Sequence, residues 1–405
     1  MVKTSTSKVA TPMMGILLSL SICHCCNDAL QAVVNSLYPI IKNDLALNFA
    51  QIGLVTLCYQ MSASVLQPLV GFFFDKRPSP WTLTLAACFT FTGLAFLAFA
   101  SSFLTVALSV MLIGAGSSIV HPEASRMTSL ASAGRKGLAQ SIFQVGGNLG
   151  SSIGPLLAAF VIAPYGRENT ILVATLAFVG IGFSLYIGRW YKAQLIASGR
   201  YGVAKTTKKV LHKGDEGWVD RPYSNRRTYF YIGILLVLIF SKYVYMASIS
   251  SYFTFYTIEK FALSVQQSQY ALFVFVFATA LGTLLGGPIG DKIGRKYVIW
   301  FSILGAAPFA LALPYLSLGW ALVAAFGSGF MLSSAFPAIV IMAQELLPNR
   351  IGMISGLFFG LAFGIAGIAA AYWGVFIEHY GVEAVFATSG YVTLLGLVAV
   401  FLPRR

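Results

Sequence analysis

Long apolar runs recur along the whole chain, separated by short clusters of charge or of Gly and Pro. They cover 13–41, 49–74, 81–101, 103–130, 138–163, 169–190, 228–257, 266–290, 296–314, 319–345, 350–376 and 382–402. Each approaches or exceeds the roughly 20 residues that carry an α-helix across a bilayer's hydrocarbon. The pattern therefore predicts an all-α membrane protein with twelve transmembrane helices. An even number of crossings leaves both termini on one side.

The basic residues assign that side. Connections after even-numbered runs carry Lys76, Arg77, Arg135, Lys136, Lys292, Arg295, Lys296 and Arg350, whereas the others carry only Lys42, Arg167 and Lys260. Cytoplasmic loops collect Lys and Arg, so the termini, with Lys3, Lys8, Arg404 and Arg405, are expected in the cytoplasm. One connection is different in kind. Residues 191–227 hold nine basic side chains among few apolar ones and read as a cytoplasmic linker between a six-helix half at 1–190 and another at 228–405. Its charge serves as an orientation signal or as a patch for anionic lipid.

Composition agrees with this division. Hydrophobic residues make up 57% of the 405 and charged ones only 10%, which excludes a soluble enzyme. The net charge of +14 would suggest a nucleic-acid partner in a soluble protein, but here it follows from loop orientation. Cys23, Cys25, Cys26, Cys58 and Cys88 all lie in apolar runs, so no disulfide framework is expected. The first run is too long for a signal peptide and lacks a cleavage site, so it is expected to remain as the first span.

The halves repeat each other, as in duplicated transporters. Gly71 to Asp75 and Lys76 follow the second run; Gly287 to Asp291 and Lys292 follow the eighth. Pro122, Arg135 and Gly137 align with Pro337, Arg350 and Gly352 at an offset one residue different. The fuller copy, Gly286-Gly-Pro-Ile-Gly-Asp291-Lys292-Ile-Gly294-Arg295-Lys296, resembles the cytoplasmic loop signature of the major facilitator superfamily. Its glycines suit a tight turn and close helix approach, and its aspartate suits a pairing with Arg. Gly71, Asp75, Gly287, Asp291, Gly294, Arg295, Glu345 and Arg350 are accordingly candidates for a gate or latch. Arg77-Pro78 departs from the Gly-Arg ending, so the first half need not hold an identical latch.

In the fifth run, Gly146, Gly150 and Gly154 recur every four residues before Pro155, giving a smooth stripe against which another helix can pack. The stripe resembles the antiporter motif of drug-exporting members of the superfamily. Gln140, Gln144 and Asn148 share a helix face and are read as cavity lining or as interhelical hydrogen bonds.

Ionisable groups inside spans cost about 2.5–3.5 kcal/mol each at a span centre, and they concentrate where function needs them. His24, Asp28 and Gln31 share a face of the first span, with Asn27 beside them. A carboxylate next to an imidazole can trade a proton, so Asp28 and His24 are proton-coupling candidates, the alternative being a structural network. His121 and Glu123 join them in the fourth span, where Glu123 and Arg126 form either a local pair or a switchable one. In the seventh span Lys242 needs a partner across the bundle or an anionic ligand, unless it snorkels to the cytoplasmic face. Tyr245 and Tyr252 are expected to line the cavity beside it, with Asn27, Gln31 and Arg126 on the other half. Consecutive positions in Cys23-His24-Cys25-Cys26 diverge around a helix, so no metal site is expected there.

Together, His121–Met127, Gly134–Ala159, Phe240–Tyr256, Gly286–Gly305 and Gln344–Gly360 resemble the fosmidomycin resistance protein family of bacterial major facilitator exporters. The resemblance implies two pseudo-symmetric six-helix halves in the bacterial inner membrane and a proton antiporter that expels fosmidomycin, a small phosphonate antibiotic. Partners are then a small-molecule substrate, protons and the lipid bilayer, with no cofactor and no nucleic acid, and a monomer is the expected state. An importer of a small organic anion or sugar would use the same bundle in reverse. No nucleophile-base arrangement suggests an enzyme, and the linker is too short and polar to hold a sensor's output domain.

Overall fold

The computed structural model describes residues 12–133, 135–199, 201, 222–348 and 351–403. Twelve crossing helices account for the apolar runs: α1 Met14–Ser36, α2 Phe49–Lys76, α3 Thr82–Ala98, α4 Phe103–Ala131, α5 Lys136–Leu157, α6 Leu176–Ala197, α7 Asn225–Phe261, α8 Val265–Ile293, α9 Arg295–Ala312, α10 Leu318–Leu346, α11 Ile351–Tyr380 and α12 Val382–Val392. A 3₁₀ stretch, Thr393–Phe401, completes the last crossing. α3 is the shortest spanning helix before that stretch is reached, at 17 residues.

Local sequence sets the helix starts. Asn48 with Gln51, Ser102 with Thr105, and Ser264 with Gln267 form reciprocal caps in which the side chain satisfies an orphan N–H and the third residue returns the favour. The turn between α8 and α9 is made at Gly294, whose φ of 96° a side chain would resist.

Three boundaries differ from the sequence expectation. The first run is broken at Leu37, after which Tyr38–Asp44 forms a separate short helix with Pro39 in its first turn. Proline has no N–H to continue α1 and fits a new helix start, a break that continuous hydrophobicity conceals. α6 continues past the expected boundary at 190 to Ala197, burying Tyr191, and α7 begins at Asn225, so the described part of the linker is shorter than 191–227. Gly71, expected at a turn, lies inside helix α2. The helix of α8 also runs through position 287, leaving the bend to Gly294 alone. The side chains of Asp75 and Asp291, the surroundings of Gly287, and Arg350 lie outside the described residues.

The glycine stripe of α5 faces α1. A Cβ at Gly146 would meet the Ser21 carbonyl oxygen at 2.0 Å, one at Gly150 the Cys25 oxygen at 2.2 Å, and one at Gly154 the Ala32 methyl at 2.4 Å. The two backbones thus meet directly at Gly146 and Gly150, and at Gly154 only the Ala32 methyl lies between them. Pro155 leaves the following turn widened between Ala158 and Ile162. Gly150→Leu should force these helices apart at a cost of about 3 kcal/mol. The expected outcome is a sharp fall in folded yield and thermal midpoint in detergent; unchanged values would mean the contact is not structural.

The halves touch mainly through α2 with α11 and α5 with α8. Toward the end opposite the termini, the Phe49 N–H donates to Glu378, Gln266 to the Ala159 carbonyl (3.0 Å), Gln269 to the Ser36 carbonyl (3.0 Å) and Tyr252 to the Ala370 carbonyl (2.6 Å). Ser64 to Gly360 (2.8 Å) lies near mid-helix in both partners. These described bonds close the bundle at the end away from the termini.

Candidate functional site

The close approach of α5 to α1 shapes the centre of the first half. A Cβ at Gly147 would fall 2.3 Å from the His24 ring and 2.8 Å from the Asp28 carboxylate, so the missing side chain makes room for that pair. His24 Nε2 lies 3.2 Å from Asp28 Oδ2, one helical turn apart. The imidazole stacks on Phe143 with ring centroids 4.0 Å apart, and its Nδ1 lies 2.9 Å from the Phe143 carbonyl oxygen.

That last contact fixes the chemistry. A carbonyl only accepts, so Nδ1 carries the hydrogen, and a neutral His24 presents a bare lone pair at Nε2. Facing an ionised carboxylate, the lone pair would be repelled. The 3.2 Å approach is attractive only when one proton sits on either Nε2 or the carboxyl group. Asn27 donates to the other oxygen of Asp28 at 3.0 Å and cannot supply that proton.

His121 of α4 joins the pair. Its ring meets His24 edge-on at 5.3 Å, and ligating atoms of His24, Asp28 and His121 all lie within 4.8 Å of one another. Gln31 accepts from the Tyr59 hydroxyl at 2.6 Å, which ties α1 to α2. Gln144 and Asn148 are half-buried on α5, and the Asn148 amide nitrogen has no partner among the described residues. Gln140 instead accepts from Ser125 at 3.4 Å, linking α5 to α4.

Glu123 and Arg126 are in contact near the terminal end of the bundle. The Arg126 guanidinium bonds Glu123 and donates to the Phe74 carbonyl at 2.9 Å, its carbon sits 5.8 Å from the Tyr191 ring, and Thr82 donates to Glu123 at 3.2 Å. Four helices thus meet on this pair. These contacts all lie within the first half.

In the second half, Lys242 is buried at 3% exposure near the middle of the long α7, which rules out snorkelling. The helix begins three residues before its hydrophobic run, and Lys242 is packed inside the bundle. Its Nζ is 4.9 Å from the Phe336 ring and 5.1 Å from the Tyr243 ring, and no carboxylate pairs with it among the described residues. Aromatic faces attract the cation but leave its hydrogen-bond donors without strong acceptors.

Tyr245 and Tyr252 do not line a cavity in this structure. Both are fully buried: Tyr245 donates to Ser328 at 3.2 Å and Tyr252 to the Ala370 carbonyl. Polar tips on an aromatic face serve interhelical contacts as readily as a ligand, and spacing alone does not separate the two. At the terminal end, Arg295 pairs with Glu345 beside Gly294, bridging α9 to α10 along a cavity of about 260 Å³ that Tyr223 also lines. Both partners of this ion pair belong to the second half.

Sequence reasoning missed three members of the site. The Phe143 carbonyl is a backbone group with no residue signature, while Phe336 and Phe363 read as ordinary core aromatics. The Phe363 ring of α11 stacks near-parallel on His121, with centroids 6.5 Å apart and an interplanar angle of 19°.

Comparison with known proteins agrees with this architecture. The chain is 50% identical over 400 residues to the fosmidomycin resistance protein of Escherichia coli strain K12, covering 98% of this chain and 95% of that one. It is 36% identical over 401 residues to the uncharacterized MFS-type transporter YfnC of Bacillus subtilis strain 168, with the same coverage. A solved bacterial homologue of the lysosomal transporter Spinster, inward-facing and occupied, superposes with a TM-score of 0.70 at 16% identity over 96% of this chain and 94% of that one. The Major Facilitator Superfamily profile matches residues 20–259 and 231–405. With full-length likeness, duplicated halves and an all-helical bundle in agreement, the chain is a multi-pass membrane transporter that belongs to the Major Facilitator Superfamily, in the family of the fosmidomycin resistance protein.

Proposed function

We propose that this transporter exports fosmidomycin or similar small anionic compounds from the bacterial cytoplasm in exchange for protons, working as a monomer with both termini in the cytoplasm. The observation that carries the proton half of the reading is the His24–Asp28 contact, held at 3.2 Å while Phe143 occupies Nδ1. The kinship with the fosmidomycin resistance protein supports the drug. Lys242, buried between rings with no carboxylate paired to it among the described residues, supports an anionic cargo.

With the termini inside, the hydrogen bonds from Phe49, Gln266 and Gln269 close the outer end. The cavity then faces the cytoplasm. An anion enters toward Lys242, and the bundle rocks outward about the α2–α11 and α5–α8 seams. A proton arriving from outside rejoins His24 and Asp28, and its release inside completes the cycle. Carrying an anion out and a proton in both move positive charge inward, so the membrane potential contributes about 2.3 kcal/mol per charge per 100 mV.

The test is a fosmidomycin-sensitive bacterium lacking its own exporter. Expression of this protein should raise the inhibitory concentration of fosmidomycin several-fold and lower the drug retained by the cells. Protein present in the membrane with neither effect would contradict the export reading.

A further inference from the structure

The proposed proton pair and the buried lysine lie in different halves, and the ring contacts join them. From Lys242 the path runs to Phe336 at 4.9 Å and from Phe336 to Phe359 at 5.1 Å. Phe363 follows Phe359 by one turn on the same face of α11, and its ring stacks on His121, which meets His24. The other described ring contacts between the halves, Phe49 with Tyr252 and Phe255 and Phe160 with Tyr270, lie at the end away from the termini. At the level of the proton pair, Phe363 is the described ring that the second half presents.

We propose that Phe363 is the positioning residue through which the proton load of the first half is communicated to the anion site of the second. This deepens the antiport reading and rests on it. A ligand or proton shifts a two-state equilibrium only through a contact that differs between the states. The face of an aromatic ring attracts a cationic imidazole more than a neutral one. His121 is the member of the cluster whose ring faces Phe363, so the contact tightens when the added proton resides on His121 and slackens when the proton leaves it. Because α11 also carries Phe359 against Phe336, this change acts on the helix that walls the Lys242 site. Phe143 packs on His24 within the first half, so its contact does not reach the second half.

The inference predicts a particular defect in Phe363→Leu, which keeps bulk and apolarity but removes the ring face. In vesicles, fosmidomycin exchange without a proton gradient should persist, while the protons moved per drug molecule fall about two- to fivefold. Phe363→Tyr should restore the ratio. An unchanged ratio in Phe363→Leu would overturn the inference, as would an equal loss of exchange and proton flux in both variants, which marks a structural role. Absence of drug-linked proton flux in the unaltered protein would instead overturn the antiport reading itself, so the two failures are distinguishable.

Discussion

Asp28→Asn should leave a folded transporter that binds and exchanges its anion yet no longer couples it to protons. An asparagine amide donates its own N–H to the Nε2 lone pair of His24, satisfying in every state the contact that otherwise needs a proton. His24 stays in place because the Phe143 carbonyl and ring hold it from the other side. Drug export against a gradient should therefore be lost, whereas counterflow of labelled for unlabelled fosmidomycin should stay within about threefold of the unaltered rate, since no new charge is buried. Retained uphill export in this variant would remove Asp28 from the mechanism.

The second large effect is expected at Lys242. Replacing it with Met keeps much of the aliphatic stem and removes a cation that lacks a carboxylate partner among the described residues. Folded yield should hold or improve, because losing an uncompensated buried charge relieves a desolvation cost. Affinity for the anion should fall by about 10- to 100-fold, the range of one charge-assisted hydrogen bond in a low-dielectric site. Measured as the KM for fosmidomycin in inside-out vesicles, an unchanged value would place the anion elsewhere in the cavity.

Much of the fold was legible because a bilayer tolerates few alternatives to apolar helices. Each run became a crossing, and the spacing of Gly146, Gly150 and Gly154 announced a close helix contact. What spacing could not name was the partner, since α1 is brought there by tertiary packing. The same limit governs the site. His24 and Asp28 were readable as one helical face, but His121 comes from another helix and the decisive acceptor is the Phe143 carbonyl. Lys242 was recognisable as costly, yet its burial depends on the helices packed around it, among them the one that carries Phe336, which spacing along one helix does not reveal. Tyr245 and Tyr252 illustrate the opposite error, a polar-tipped stripe whose hydroxyls are spent on Ser328 and Ala370.

The central claim is exchange of an anion for a proton through His24 and Asp28. It is tested most directly by reconstituting the purified protein in vesicles that contain a pH dye, imposing a potential, and adding fosmidomycin to one side. The account predicts that protons move toward the side from which the drug departs, and that Asp28→Asn abolishes this movement. Protons travelling with the drug, or drug-linked proton movement unaffected by Asp28→Asn, would contradict it.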